Sequence, residues 1–409
     1  MTWTRRPLKE VAEFCLGKML DENKNRGQSM PYLANINVRW GRFDLGDLRQ
    51  MRFEENELDR FGLSYGDIVM CEGGEPGRCA VWQDQLPGMM FQKALHRIRP
   101  HEDIDSRFLF YLFLKMGRND EFGGLFTGST IKHLPKEKLA KVVVAFPELK
   151  VQQHIAEVLF RYDDLIENNR RRIALLEQAA RLLYEEWFVR FRFPGHEHAK
   201  VVNGLPEGWA EQHLAQLCDG DDGIQTGPFG SQLHQSDYSD DGIPVVMPKN
   251  MIAFRIVSDG IARIPEQTAE RLTRHRLIEG DTVYGRRGDI GRRAYVSERE
   301  VGWLCGTGCL RMRPNNQKID PRFLFDALGA PKTAGTIANR AKGATLPNLN
   351  STILRSVPVL VPSRPMQELY SSKIRPIKSQ IETLAAYNEK LGAARDLLLP
   401  RLMSGEVEV

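Results

Sequence analysis

The sequence predicts an α+β protein: two pseudo-two-fold related α/β domains separated by two long antiparallel coiled-coil helices. Three observations carry this expectation. The chain repeats itself, the hydrophobic period changes after each copy, and the two resulting apolar seams each hold one asparagine at complementary positions. The expected boundaries are an α/β domain over 1–147, a central helix over 148–194, a second α/β domain over 195–363 and a C-terminal helix over 364–409.

The repeat runs at nearly constant offset. Leu63, Gly66, Asp67 and Val69 recur as Leu277, Gly280, Asp281 and Val283. Gly74, Gly77, Arg78 and Ala80 recur as Gly288, Gly291, Arg292 and Ala294, all 214 residues on. After one inserted residue, Asp105, Arg107, Phe108, Leu109 and Phe110 match Asp320, Arg322, Phe323, Leu324 and Phe325, and Gln152 matches Gln367. Trp3 and Leu8 match Trp209 and Leu214 at offset 206, so the second copy is about eight residues longer within its first third.

Within each copy, Gly66–Met70 and Gly280–Tyr284 read as a glycine turn entering a short strand. Asp105–Leu114 and Asp320–Leu328 read as short helices with Asp near the N-cap. Val142–Phe146 and Val357–Val361 read as strands stopped by proline. After Pro147, apolar residues fall at Ile155, Leu159, Tyr162, Ile166, Ile173, Leu176, Ala180, Leu183 and Trp187. After Pro365 they fall at Tyr370, Ile374, Ile377, Ile381, Leu384, Leu391, Leu398 and Leu402, with Arg395 interrupting. Steps of four and three give the 3.5-residue period of a coiled coil, and each helix should span roughly 50 Å at 1.5 Å per residue. Numbered antiparallel so that paired positions sum to 557, the seams cover each other fully. Ile155 then faces Leu402, Leu176 faces Ile381, Trp187 faces Tyr370, and Asn169 faces Asn388. A paired polar residue fixes register at some cost in stability; asparagines facing water or a partner chain remain the other reading. The expected shape is a dumbbell with a lobe at each end of a stiff pair of helices.

At 409 residues the chain is too long for one ordinary core, and 42% hydrophobic with 27% charged residues is ordinary for a folded protein. The formal net charge of +4 is a weak pointer to nucleic acid unless the charges cluster. They do so between 271 and 293, where Arg271, Arg274, Arg276, Arg286, Arg287, Arg292 and Arg293 lie beside Glu279, Asp281 and Asp289. Arg286–Arg293 reads as a glycine-bearing loop whose guanidinium groups suit phosphates or guanine edges; arginines paired with the nearby acids are the alternative. Asn35, Asn37 and Arg39 in the first copy, and Lys249 and Asn250 in the second, stand beside apolar strands and could read base edges or serve as turns and caps. Thr130 and Lys132, with their counterparts Lys342 and Thr345, are candidate phosphate contacts, and Arg78 matches Arg292. Six cysteines without zinc-like spacing fit a reduced, cytoplasmic setting, and neither a signal peptide nor a membrane span is expected.

These residues resemble the specificity (S) subunits of type I restriction–modification systems, HsdS-like, over the whole chain. Pro31–Val38 and Cys71–Arg78 are similar to one type of target-recognition domain in that family. Gly227–Ser231 and Gly242–Asn250 are similar to another, Gln152–Trp187 resembles the central spacer helix, and Pro206–Trp209 resembles the start of a second recognition domain. The resemblance implies a bipartite, asymmetric duplex DNA site. It further implies two modification (methyltransferase) subunits and restriction (translocase/nuclease) subunits, on which S-adenosylmethionine, ATP and Mg act. No cofactor is expected on this chain. Consistent with a non-catalytic role, the sequence has no Asn-Pro-Pro-Tyr or Asp-Pro-Pro-Tyr methyltransferase motif and no Gly-x-x-x-x-Gly-Lys-Ser/Thr phosphate loop. A scaffold that spaces two protein partners is the alternative function. Salt-dependent duplex binding separates the two.

Overall fold

A computed structural model describes residues 3–22, 25–341 and 347–407. The chain divides into two compact units, Met1–Arg172 with Thr383–Val409, and Ile173–Glu382. The expected domain boundaries therefore shift: each long helix is shared between the units rather than standing as a separate segment.

In the first unit, Ala12–Leu16, Leu95–Pro100, Ile68–Cys71 and Cys79–Val81 form a four-stranded antiparallel sheet in that order. A second sheet runs Arg49–Phe53, Gln28–Leu33, Met90–Phe91, and its last pair is parallel, with Tyr32 opposite Met90. A tight hairpin joins Val38–Arg39 to Arg42–Phe43, and Thr4–Pro7 pairs with Val143–Phe146. The helix Ser106–Arg118 buries Phe108, Leu109, Tyr111 and Phe113. As expected, Asp105 caps it, accepting from the backbone N–H groups of Arg107 and Phe108 at 2.9 Å.

The second unit repeats this layout. Ile224–Thr226, Cys309–Met312, Thr282–Gly285 and Arg293–Tyr295 form the four-stranded sheet. Ala262–Ile264, Ile243–Val246 and Leu304–Cys305 form the three-stranded one, again ending in a parallel pair, Val245 opposite Leu304. Met251–Ile252 and Arg255–Ile256 form the hairpin, and Ala210–His213 pairs with Pro358–Val361. Asp320 caps Pro321–Ala327 as Asp105 caps its helix.

Matching buried bonds brace each unit internally. Asp67, 1% exposed, is gripped bidentately by Arg99 at 2.7 Å, and Asp281, fully buried, by Arg313 at 2.8 and 2.9 Å. The Gln152 amide accepts from Asp105 N–H at 3.0 Å and donates to the Pro147 carbonyl at 2.9 Å. Gln367 accepts from Asp320 N–H at 2.9 Å and donates to Pro362 at 2.8 Å. These glutamines weld the start of each long helix to its own domain, because buried polar groups tolerate no missing partner.

The long helices are Leu149–Tyr184, which widens into a π-helical turn at Glu185–Val189, and Arg364–Ser404. Within the first unit they run antiparallel in the register read from the seams: the Asn169 amide donates to the Asn388 side-chain oxygen at 3.0 Å. Ile155, Leu159, Leu399 and Leu402 join the same buried cluster as Phe108 and Phe113. Arg395, the interruption in the second seam, ion-pairs with Asp163 and Asp396, while Tyr111 donates to Asp163 at 2.6 Å. Within the second unit, Trp187 packs edge-on against Tyr370, with ring centroids 6.0 Å apart, in a buried aromatic group with Tyr184, Phe188 and Phe323.

His275 is 1% exposed beside Arg274 and Arg311. Burial first, then these two cations, pull its pKa down to about 4. The unfolded chain takes a proton near 6.5 while the folded unit does not, so folding loses stability as pH falls from 6.5 toward 4. His275→Gln is expected to flatten that part of a plot of melting temperature against pH; an unchanged slope rules His275 out as its source.

Candidate nucleic-acid interface

In the first unit three loops converge beside the sheets. The turn Asn35–Asn37 opens into the Val38–Phe43 hairpin. The loop Gly73–Arg78 follows a buried strand and uses positive φ at Gly74 and Gly77. At φ +85° Gly74 adopts a conformation that strains any side chain, and a Cβ there would also press on the Asn35 amide. The third loop, Thr127–His133, is closed by reciprocal backbone bonds of 2.8 Å, with Thr130, Ile131 and Lys132 exposed at its tip. Its His133 ring nitrogen lies 3.1 Å from Glu72. The Lys132 ammonium sits 5.8 Å over the Phe126 ring.

The second unit assembles the turn and the glycine-bearing loop from different residues. Pro248–Asn250 forms the turn and Arg286–Arg292 the loop. Arg287 bridges to Asn348 through the backbone, as Gly73 bridges to His133. Lys249 and Arg287 are exposed, and Arg286 is half-buried with its guanidinium 5.9 Å over Phe229.

Several expected contacts change role. Asn37 and Asn250 are withdrawn from the surface, 5% and 1% exposed. Each accepts from the N–H three residues earlier, Ala34 and Met247, at 3.0 Å, and Asn37 also donates to the Asp44 and Asp47 carbonyls. They brace their turns and cannot read a base. Arg78 donates to the Asn35 carbonyl at 2.9 Å and pairs with Glu75. Arg292 donates to the Pro248 carbonyl at 3.2 Å and pairs with Asp289 at 3.6 Å. Both arginines are latches between loop and turn, the same latch in each copy.

Arg293 points away from its loop. It is 8% exposed, held between the rings of Phe254 and Phe325 at 4.7 and 5.0 Å. It lines a cavity of about 340 Å³ with Arg322, Lys378 and Glu382. Strand alternation explains the inversion, because neighbouring residues of Arg293–Tyr295 face opposite sides. Lys342 and Thr345 lie outside the described residues. Among the other arginines of the 271–293 run, Arg271 pairs with Asp237 and Arg276 with Glu266, so the paired-charge reading holds for those two. The candidates left at the surface are Asn35, Arg39, Thr130 and Lys132 in one unit, and Lys249, Arg286 and Arg287 in the other. Exposed Lys93 at the first loop cluster escaped the sequence reading; its place in the repeat, opposite Thr307, was the available signal.

Comparison with known proteins bears on this arrangement. A family model described as the type I restriction modification DNA specificity domain matches residues 1–178. The type I restriction enzyme MjaIX specificity subunit of Methanocaldococcus jannaschii is 23% identical over 348 residues, covering 84% of this chain and 78% of that one. The chain is similar to HsdS specificity subunits. The HindI specificity subunit of Haemophilus influenzae is 21% identical to this chain over 483 residues, covering 97% and 99% of the two. The crystal structure of the S subunit of a type I restriction–modification system from M. genitalium shares its fold, with a TM-score of 0.60 at 18% identity, over 98% of this chain and 96% of that one. The family model ends inside the first long helix. The matching strand orders and buried ion pairs make the second unit a structural repeat of the first.

Proposed function

We propose that this chain is the DNA-reading subunit of a type I restriction–modification complex, each α/β domain reading one half of a bipartite, asymmetric site. One observation carries the reading. The two copies keep the same hidden braces, Asn37 with Asn250, Arg78 with Arg292, and Asp67–Arg99 with Asp281–Arg313, while the exposed tips they support differ. Ile36 stands where Lys249 does, and Gly73 where Arg287 does. A shared scaffold with unlike tips is what two different half-sites require. The long helices set the gap between the half-sites. Exposed Leu165, Leu175 and Leu182 on the outer face of the first long helix supply apolar surface for methyltransferase subunits. Those partners bring S-adenosylmethionine, and the restriction subunits bring ATP and Mg. The chain itself does no chemistry, and the complex works in the cytoplasm.

Genome-wide adenine methylation in the source cell, with and without this gene, tests the reading: one split, asymmetric motif loses methylation on deletion. No change in any motif while the methyltransferase is expressed defeats it. For the exposed cation, Arg287→Ala is expected to lower the salt slope of duplex binding by about one if it meets a phosphate. A titration of affinity against salt concentration reads this directly.

A further inference from the structure

The strand that borders the four-stranded sheet ends in the same way in both units. Gly17 N–H donates to the Leu95 carbonyl at 3.1 Å, and Gly227 N–H to the Cys309 carbonyl at 2.9 Å. Neither glycine can carry a side chain: a Cβ would sit 2.4 Å from the Gln92 carbonyl oxygen in one unit and 2.0 Å from that of Gly306 in the other. The chain is thus pinned against the sheet at equivalent points. Two residues further on it holds out a large apolar side chain, Met19 at 51% exposure and Phe229 at 52%.

A lone exposed apolar residue is ordinary and needs no explanation. Here the same position is apolar and exposed twice, with different side chains, on backbones that are firmly held. The Lys18 carbonyl accepts from Lys93 N–H at 2.9 Å, and the Pro228 carbonyl from the Thr307 hydroxyl at 3.0 Å. The Phe229 carbonyl accepts from Gln232 and Leu233 N–H groups at 2.8 and 3.1 Å, and its own N–H is held by the Gln232 side chain at 3.3 Å. A rigid perch lowers the ordering cost of any contact made from it.

The surroundings say which partner fits. Arg286 lies over the Phe229 ring, exposed Arg287 follows it, and exposed Lys93 adjoins the Met19 loop. An apolar tip with a cation beside it suits a polyanion with flat apolar faces inside it, as a duplex presents through base edges and thymine methyls. A purely protein partner would not call for the cations.

We propose that Met19 and Phe229 are the apolar base contacts of the two domains, one for each half-site. This rests on the DNA-reading function above. It adds that part of the specificity comes from apolar contact, which leaves the electrostatic component of binding untouched.

The test uses the chain assembled with its methyltransferase subunits and a duplex carrying the motif found by methylation mapping, together with duplexes altered one base pair at a time in either half. Phe229→Ala is expected to weaken binding to the unaltered duplex by roughly 5- to 100-fold, the range of an aromatic–base contact. The salt slope and melting temperature should stay unchanged. Discrimination should relax in one half-site only, with Phe229→Leu falling between wild type and Ala. Met19→Ala should relax the other half. Affinity within about twofold of wild type, or a loss accompanied by a reduced salt slope, overturns the proposal. Loss of the methyltransferase subunits from the purified complex overturns it as well, since the tips would then dock protein. If the wild-type complex itself fails to discriminate among the duplexes, the DNA-reading function falls before any variant is examined.

Discussion

Replacing Arg313 by Met is expected to lower the unfolding free energy of the 173–382 unit by about 3–5 kcal/mol. Asp281 has no exposure to water, and its carboxylate is held by two guanidinium hydrogens and by the Ile278 N–H at 3.0 Å. Removing the arginine leaves a buried charge with a single protein donor. Methionine preserves most of the volume, so the loss is electrostatic rather than a packing defect. Arg313→Met combined with Asp281→Asn should recover part of the stability, because the stranded charge is gone. The equivalent Arg99→Met should cost less, since the Arg99 side chain is 37% exposed against 23% for Arg313. Urea unfolding of the three variants checks the series. A cost below about 1 kcal/mol for Arg313→Met, the level of an exposed pair, would mean the buried pair is not what holds this unit.

Asn169→Leu alone is expected to destabilise the first unit by about 1–3 kcal/mol, the cost of leaving one half-buried amide without its partner. Asn169→Leu with Asn388→Leu should regain that loss and exceed wild type, as apolar pairs do in a seam. The double variant removes a polar pair that distinguishes one register from the next and leaves only pairs such as Arg395–Asp163 to do so, and its gain therefore comes with weaker specification of alignment. Thermal unfolding of wild type, both single variants and the double variant closes the cycle. Equal effects of single and double replacement contradict a paired role.

The register was legible because a polar residue in an apolar seam is a rare event. Two such residues admit few alignments, and the sum rule that matched Ile155 to Leu402 also matched the asparagines. The strand-entry glycines Gly66 and Gly280 and the Asp caps were legible for a similar reason: each answers a local backbone need. The surface was harder. Asn37 and Asn250 stand in polar turns, and a capping amide and a base-reading amide leave the same trace in sequence; only burial separates them. Arg292 and Arg293 are adjacent and alike, yet one latches a loop and the other lies between two rings. The equivalence of Met19 and Phe229 passed unnoticed because the offset of the repeat drifts from 206 to 214 just where they lie.

The division of the chain into units has a consequence for how the protein is made. The second unit is a single continuous stretch, Ile173–Glu382, whereas the first needs both Met1–Arg172 and Thr383–Val409. Leu399, Leu402 and Met403 complete the same core as Leu8, Ile68 and Phe108. A ribosome working toward the C-terminus therefore delivers the larger part of the first unit before the second, and the helix that closes its core only after the second. Meanwhile Ile155 and Leu159 stand without the partners that will cover them. Of the two units, the one begun first is completed second, and a chain released after Glu382 would hold a whole second unit and an open first one.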